Sequence, residues 1–212
     1  MNAAEFRARV RARAARARLV VAATEIDQLE AYYRLLSRWN ETINLTALQL
    51  EPLSDDTLDR LIVEPLAAAK YVSDSPADWF DLGSGGGSPA IPLKIARPGL
   101  NLTMVEARER KAAFLREAAR ELNLRSTTVA TDRFEALATR PEFAGIAAFV
   151  TVRAVRVDSS LLRTAQRLLS SGGNLLLFGF HPGLDVTAFQ SVQAVELIPG
   201  GSPDLLILTV AG

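Results

Sequence analysis

From residue 78 to the end of the chain, stretches of strand character alternate with stretches of helical period, and the last two strand-like stretches are joined by only a few residues. Strands are expected at 78–82, 101–106, 126–130, 146–152, 173–180, 192–197 and 204–210, with helices at 89–97, 108–123, 133–140 and 158–170. Parallel neighbours need a long crossover, and the helices provide it. Such alternation implies a mostly parallel sheet covered on both faces. The final link, Ile198-Pro199-Gly200-Gly201-Ser202-Pro203, cannot hold a crossover helix, so the last pair should form an antiparallel hairpin. The pattern predicts an α/β, Rossmann-like domain over residues 76–212 with a seven-stranded, mostly parallel sheet and an antiparallel terminal hairpin.

Residues 1–75 read as an N-terminal helical extension. Phe6, Val10, Ala14, Ala17 and Val21 recur at helical spacing. Thr24 is the expected N-cap of a second helix, with Asp27 in the reciprocal position. Ile26, Leu29, Tyr33, Leu36 and Trp39 then carry that helix to Asn40. Pro52 and Pro65 suit first-turn positions or breaks in a third helical region ending near Tyr71-Val72-Ser73.

Lys plus Arg and Asp plus Glu number 24 each, so net charge makes no case for a nucleic-acid partner. The charge is unevenly placed, however. Arg7, Arg9, Arg11, Arg13, Arg16 and Arg18 crowd the start, opposed there by Glu5, while Glu51, Asp55, Asp56 and Asp59 cluster further on. Two readings of the arginines stand open: solvated faces of a structural helix, or a basic arm on RNA phosphates. An organellar transit peptide fits less well, since the segment lacks serine and runs unbroken into the next helical pattern. With no secretory signal visible, a cytoplasmic monomer is expected.

No run approaches the roughly 18 apolar residues of a membrane helix. The absence of cysteine excludes disulfides and thiolate metal sites, and a single histidine, His181, argues against a histidine-built metal centre or nucleophilic triad. No metal is expected.

The chemistry concentrates in Asp81-Leu82-Gly83-Ser84-Gly85-Gly86-Gly87-Ser88-Pro89, a strand running into a glycine-rich turn. Gly83, Ser84, Gly85, Gly87 and Ser88 are candidate cofactor contacts, because backbone without side chains can approach a ligand closely. Glu106 ends the second strand about 20 residues on, where a carboxylate can accept from the ribose hydroxyls of an adenosine ligand, whether from S-adenosylmethionine or from NAD. Asp81 discriminates between them. A carboxylate repels a pyrophosphate but attracts the ammonium and sulfonium of a methionyl group; alternatively it caps its own turn. Asp132-Arg133-Phe134-Glu135 follows the third strand, where Phe134 could flank an adenine ring and Asp132 could equally cap a helix.

The D-x-G-x-G-x-G turn resembles the first motif of class I S-adenosylmethionine-dependent methyltransferases, and five parallel strands closed by a hairpin is their expected order. More specifically, Trp39-Asn40-Glu41-Thr42-Ile43-Asn44-Leu45-Thr46 resembles the W-N-x-x-x-N-L-T signature of the RsmG (GidB) family, bacterial methyltransferases acting on guanine N7 of 16S ribosomal RNA. Asp81 through Leu93 is similar to that family's D-x-G-[ST]-G-x-G-x-P-G-I-P-L, as are Arg97-Pro98, then Lys111, Phe114 and Leu115. Val152-Arg153-Ala154 matches its S-R-A with valine in place of serine. The resemblance implies S-adenosylmethionine as cofactor, the small ribosomal subunit as partner, cofactor contacts at Gly83, Ser88, Phe134, Glu135 and Arg153, and a catalytic position for Arg153. Asn40 and Asn44 would shape the substrate side, unless they cap the end of the second helix.

The chain departs from the family pattern at three places. The H-x-x-D-S segment is Leu61-Ile62-Val63-Glu64-Pro65, the lysine of a K-G pair is Phe178, and the final strand carries no basic ends. Each change removes a polar or cationic group. The alternatives are a divergent paralogue acting on another RNA or a small molecule, with Phe178 facing the acceptor, and a cofactor-binding protein without turnover.

Overall fold

The computed structural model of the chain describes residues 1–179, 183–200 and 203–212. Five strands, β1 (Asp78–Leu82), β2 (Asn101–Val105), β3 (Thr127–Ala130), β4 (Ala147–Arg153) and β5 (Leu169–Phe178), lie parallel. Two more, β6 (Ser191–Val195) and β7 (Leu205–Thr209), close the sheet with antiparallel pairings, giving the order β3-β2-β1-β4-β5-β7-β6. The order reverses between β1 and β4, and an open sheet of this kind has its ligand crevice beyond the strand ends at that point.

Residues alternate between two cores with the strand period. Trp79, Phe149, Leu176 and Phe178 join the helices before β1, together with α5 (Ala90–Ala96) and α6 (Glu109–Glu121). Phe80, Val150, Leu175 and Leu177 face the opposite way, toward α7 (Phe134–Leu137) and α8 (Ser159–Leu168). Central strands buried on both sides explain the apolar runs in β4 and in the second half of β5.

The N-terminal segment folds as α1 (Ala3–Arg16), α2 (Ala23–Asn40), α3 (Asp55–Leu58), a π-helical turn (Asp59–Val63), α4 (Glu64–Ala68) and a 3₁₀ turn (Ala69–Tyr71). Two expectations need correction. The first helix stops before Val21: Arg18 takes φ +58°, and the Leu19 and Arg18 N–H groups bond the Ala14 and Ala15 carbonyls at 2.9 and 3.0 Å. That is a Schellman ending, with arginine where glycine is usual. The second helix is entered from Ala22, not Thr24, and the Glu25 carboxylate accepts from the Ala22 N–H at 2.7 Å. Strand β5 also starts earlier than expected, at Leu169, next to a register irregularity between Ala147 and Phe149. The expected strand end at Phe180, together with His181 and the Gly201-Ser202 part of the hairpin link, lies outside the described residues.

The two charge clusters partner each other. Arg9 reaches Asp55 at 2.5 Å, Arg13 Nε donates to Asp59 at 2.8 Å and Arg13 also meets Asp55 at 3.3 Å, so α1 is fastened to α3 and the π turn. Arg7 pairs with Asp27 and Glu30 of α2, leaving Arg11, Arg16 and Arg18 exposed. Among the described residues, no helix is long and apolar enough to cross a membrane, and no His/Cys/Asp/Glu group could hold a metal.

Candidate active site

The glycine loop is held from within. The Gly83 and Ser84 N–H groups both donate to the Val105 carbonyl, at 2.9 and 3.1 Å, and Gly87 N–H donates to the Ser84 carbonyl at 2.7 Å. Gly85 N–H donates to the Glu106 carboxylate at 3.0 Å, and that carboxylate also accepts from Arg108 N–H at 2.9 Å. From α2, the Tyr32 hydroxyl donates to the Gly86 carbonyl at 2.7 Å. Two glycines are required sterically. Gly83 has φ +73° and a Cβ there would stand 2.5 Å from Val155; Gly87 has φ +85° and a Cβ would stand 2.5 Å from Ile91. Gly83 thus admits the segment after β4, while Gly87 seats α5.

Behind the loop, Asp81 is 1% exposed. Its Oδ1 accepts from the Thr151 hydroxyl at 2.6 Å, and that hydroxyl accepts from the Trp79 indole at 2.8 Å. Burial pushes the Asp81 carboxyl up to about 6, against the opposing pull of its hydroxyl partners and of Arg153.

A cavity of about 580 Å³ opens beside the loop. Gly83, Ser84, Gly85, Ser88, Glu106, Arg153 and Asn44 all contribute to its wall. Asp81, Gly87, Phe134, Glu135 and Asn40 do not. Phe134 packs into the core on the far face of the sheet, Glu135 is exposed, and Asp132 pairs with Arg140. Asn40 acts at one remove: its Oδ1 accepts from Leu45 and Thr46 N–H at 2.9 and 3.1 Å, shaping the segment that lines the cavity. A smaller cavity of about 290 Å³ near Tyr71, Phe149 and Asn174 contains no charged side chain.

Arg153 ends β4, followed by Ala154 at φ +56°. Its Nη2 pairs with the Glu64 carboxylate, Nη1 donates to the Arg60 carbonyl and lies 3.3 Å from Ser88 Oγ, and its guanidinium lies 4.4 Å from the centre of the Phe178 ring. Burial pushes the Glu64 carboxyl up, and the guanidinium opposes that shift. Arg60, Arg108 and Lys111 complete a cationic wall. Sequence reasoning did not single out Tyr32, Thr151, Arg60 or Arg108; only the position of Arg108 just after the Glu106 strand end was a usable signal.

The cavity lies within the roughly 300–1,000 Å³ typical of small-ligand sites. A pyrophosphate needs free N–H donors at such a turn, yet those of Gly83, Ser84, Gly85 and Gly87 are satisfied internally. Glu106 contributes a carboxylate to the cavity wall, and Asp81 adds a second acid behind the loop. The donor set fits a cationic nucleoside better than a dinucleotide.

This strand order, with an acid closing β2 and a glycine loop closing β1, defines a class I methyltransferase. A predicted O-methyltransferase of Agrobacterium tumefaciens shares the fold, with a TM-score of 0.56 at 18% identity over 71% of this chain and 81% of that one. The family model for rRNA small subunit methyltransferase G matches residues 25–186. Ribosomal RNA small subunit methyltransferase G of Stenotrophomonas maltophilia (strain K279a) is 37% identical over 85% of this chain and 84% of its own length. The protein of that name from Paracoccus denitrificans is 37% identical over 89% and 95%. The chain belongs to this family, and it is an S-adenosylmethionine-dependent methyltransferase.

Proposed function

We propose that the chain methylates N7 of a guanine in the 16S RNA of the small ribosomal subunit, in the cytoplasm. The observation that carries this reading is the charge of the cavity wall: Arg60, Arg108 and Lys111, beside an Arg153 already paired with Glu64, stand against one lining carboxylate among the described residues, Glu106. Phosphate contacts dominate RNA affinity, and a cationic crevice beside the cofactor loop is the form such contacts take. The relatives' names, which specify ribosomal RNA of the small subunit, support the same acceptor.

Guanine N7 offers an in-plane lone pair and bears no proton, so the reaction needs no general base. When bound, S-adenosylmethionine supplies an activated methyl and a neutral leaving group. The chain's task is alignment, bringing the nucleophile to about 3–3.5 Å in line with the breaking bond. Glu106 would orient the ribose, Asp81 would counter the cationic methionyl end, and Arg153 with Asn44 would border the acceptor. Phe178 is 2% exposed beneath the Arg153 guanidinium, which removes the apolar ligand face that a small-molecule acceptor would use.

The test offers labelled S-adenosylmethionine with isolated small subunits, naked 16S RNA and a metabolite extract. Label at a single guanine, with strand scission after the reduction and aniline treatment specific for N7-methylguanine, is the expected result. Label confined to a metabolite would overturn the acceptor assignment.

A further inference from the structure

The turn from Asp59 to Val63 is π-helical, and the Glu64 N–H bonds the Asp59 carbonyl. The next bond of that ladder would run from residue 65 to the Arg60 carbonyl. Residue 65 is proline and has no N–H to give. Continuing instead in α register would leave the Leu61 carbonyl without a donor at residue 65. Both carbonyls are served from elsewhere: Arg60 by Arg153 Nη1, and Leu61 by the Ser88 hydroxyl at 3.0 Å. π turns recur at functional sites because they redirect backbone groups.

One residue earlier, Glu64 pairs with Arg153 Nη2, their side chains 14% and 12% exposed. Phe178, from β5, faces the guanidinium at 4.4 Å. Glu64, Pro65 and Phe178 are three of the positions at which the chain departs from its family's motifs. In sequence they are scattered over more than half the chain; in space they meet at one side chain.

We propose that Glu64, Pro65 and Phe178 are positioning residues that together fix the Arg153 guanidinium at the cavity wall: a carboxylate, a carbonyl freed by a missing N–H, and an aromatic face. None of the three lines the cavity, so each acts through Arg153. The consequence for turnover rests on the reading of Arg153 as an acceptor-side residue; the geometry of the holder does not.

The test uses the full chain and reads two things. The first is the arginine Nε–H resonance of Arg153, assigned by its loss in Arg153→Lys. A group over a ring and shielded from water should be shifted upfield and exchange slowly, and Phe178→Leu should remove the shift while Phe178→Tyr keeps it. The second is kcat and KM for methyl transfer. Phe178→Leu should lower kcat about tenfold, Glu64→Gln by more, with Glu64→Asp partly restoring it. Pro65→Ala restores a competing N–H and should lower kcat severalfold without lowering the melting temperature, an outcome a merely structural proline would not give. In an Arg153→Lys background all three effects should shrink to little.

An unshifted Arg153 resonance, or losses that persist undiminished in the Arg153→Lys background, would overturn the proposal. If Glu64→Gln does not fold, Phe178→Leu and Pro65→Ala decide it. A shifted resonance combined with wild-type turnover in Arg153→Lys would leave the holder standing and refute only the acceptor-side role of Arg153.

Discussion

The two walls of the cavity are built on different physics. The glycine-loop wall is mostly backbone: the N–H groups of Gly83, Ser84, Gly85 and Gly87 end on Val105, Ser84 and Glu106, and its shape depends on positions where a Cβ would stand 2.5 Å from a neighbour. The opposite wall is ionic, an arginine held by Glu64, a carbonyl and a ring. A wall made by close approach fails when atoms are added. A wall made by paired charge fails when atoms are removed, because the partner is left desolvated.

The largest effect should come from deleting atoms on the ionic wall. Arg153→Ala is expected to lower methyl transfer by about 100-fold and stability by about 3 kcal/mol, since Glu64 would keep its burial and lose its partner. Arg153→Lys should recover most of the stability and little of the activity, because an ammonium lacks the planar fork. Denaturant unfolding beside single-turnover kinetics separates the two. Equal recovery of both would erase the distinction between the walls.

Adding atoms to the glycine-loop wall comes next. Gly83→Ala places a methyl against Val155 at a left-handed φ, with an expected cost of about 1–3 kcal/mol and a weaker calorimetric signal for S-adenosylhomocysteine. Gly87→Ala should cost similar stability with a smaller loss of binding, since its clash is with Ile91 of α5 and it does not line the cavity. Identical binding losses would show that the loop behaves as one unit.

The smallest effect is a pH dependence beneath the glycine-loop wall. Asp81 has its carboxyl raised to about 6 from an ordinary 3.8, so the folded state holds this proton more tightly than the unfolded chain. Its contribution to stability is therefore complete below about pH 4 and disappears as the pH rises through about 6. Binding of a cationic ligand should run the other way, weakening by about tenfold for each unit below that midpoint. Asp81→Asn should flatten both trends, as denaturant unfolding between pH 4 and 7 and titration calorimetry between pH 5 and 8 can check.

Much of this was readable from residue order alone. Alternation of period placed the strands to within a residue or two except at the start of β5, and the short final link foretold the antiparallel pairing of β6 with β7. Local rules failed where an unexpected residue took a special role. Arg18 occupies a left-handed position that a reader assigns to glycine, and Ala22 enters a helix without a side-chain cap. At the site, the loop and Glu106 were legible because their partners are near in sequence or sit at strand ends. Tyr32, Thr151 and Arg60 were not, because each acts through a bond to a residue 54 to 93 positions away. Glu64 and Phe178 read singly as losses; only their convergence on Arg153 gives them a purpose.

The phenol of Tyr32 has one further implication. It ties the glycine loop to α2, and the wall beyond it is completed by Leu36, Asn44 and Leu61, all from before the first strand. A fragment trimmed to the sheet would retain every strand and still lack one side of its binding chamber. Anyone grafting this catalytic unit onto another scaffold must carry the helices along, as cargo that cannot be left at the dock.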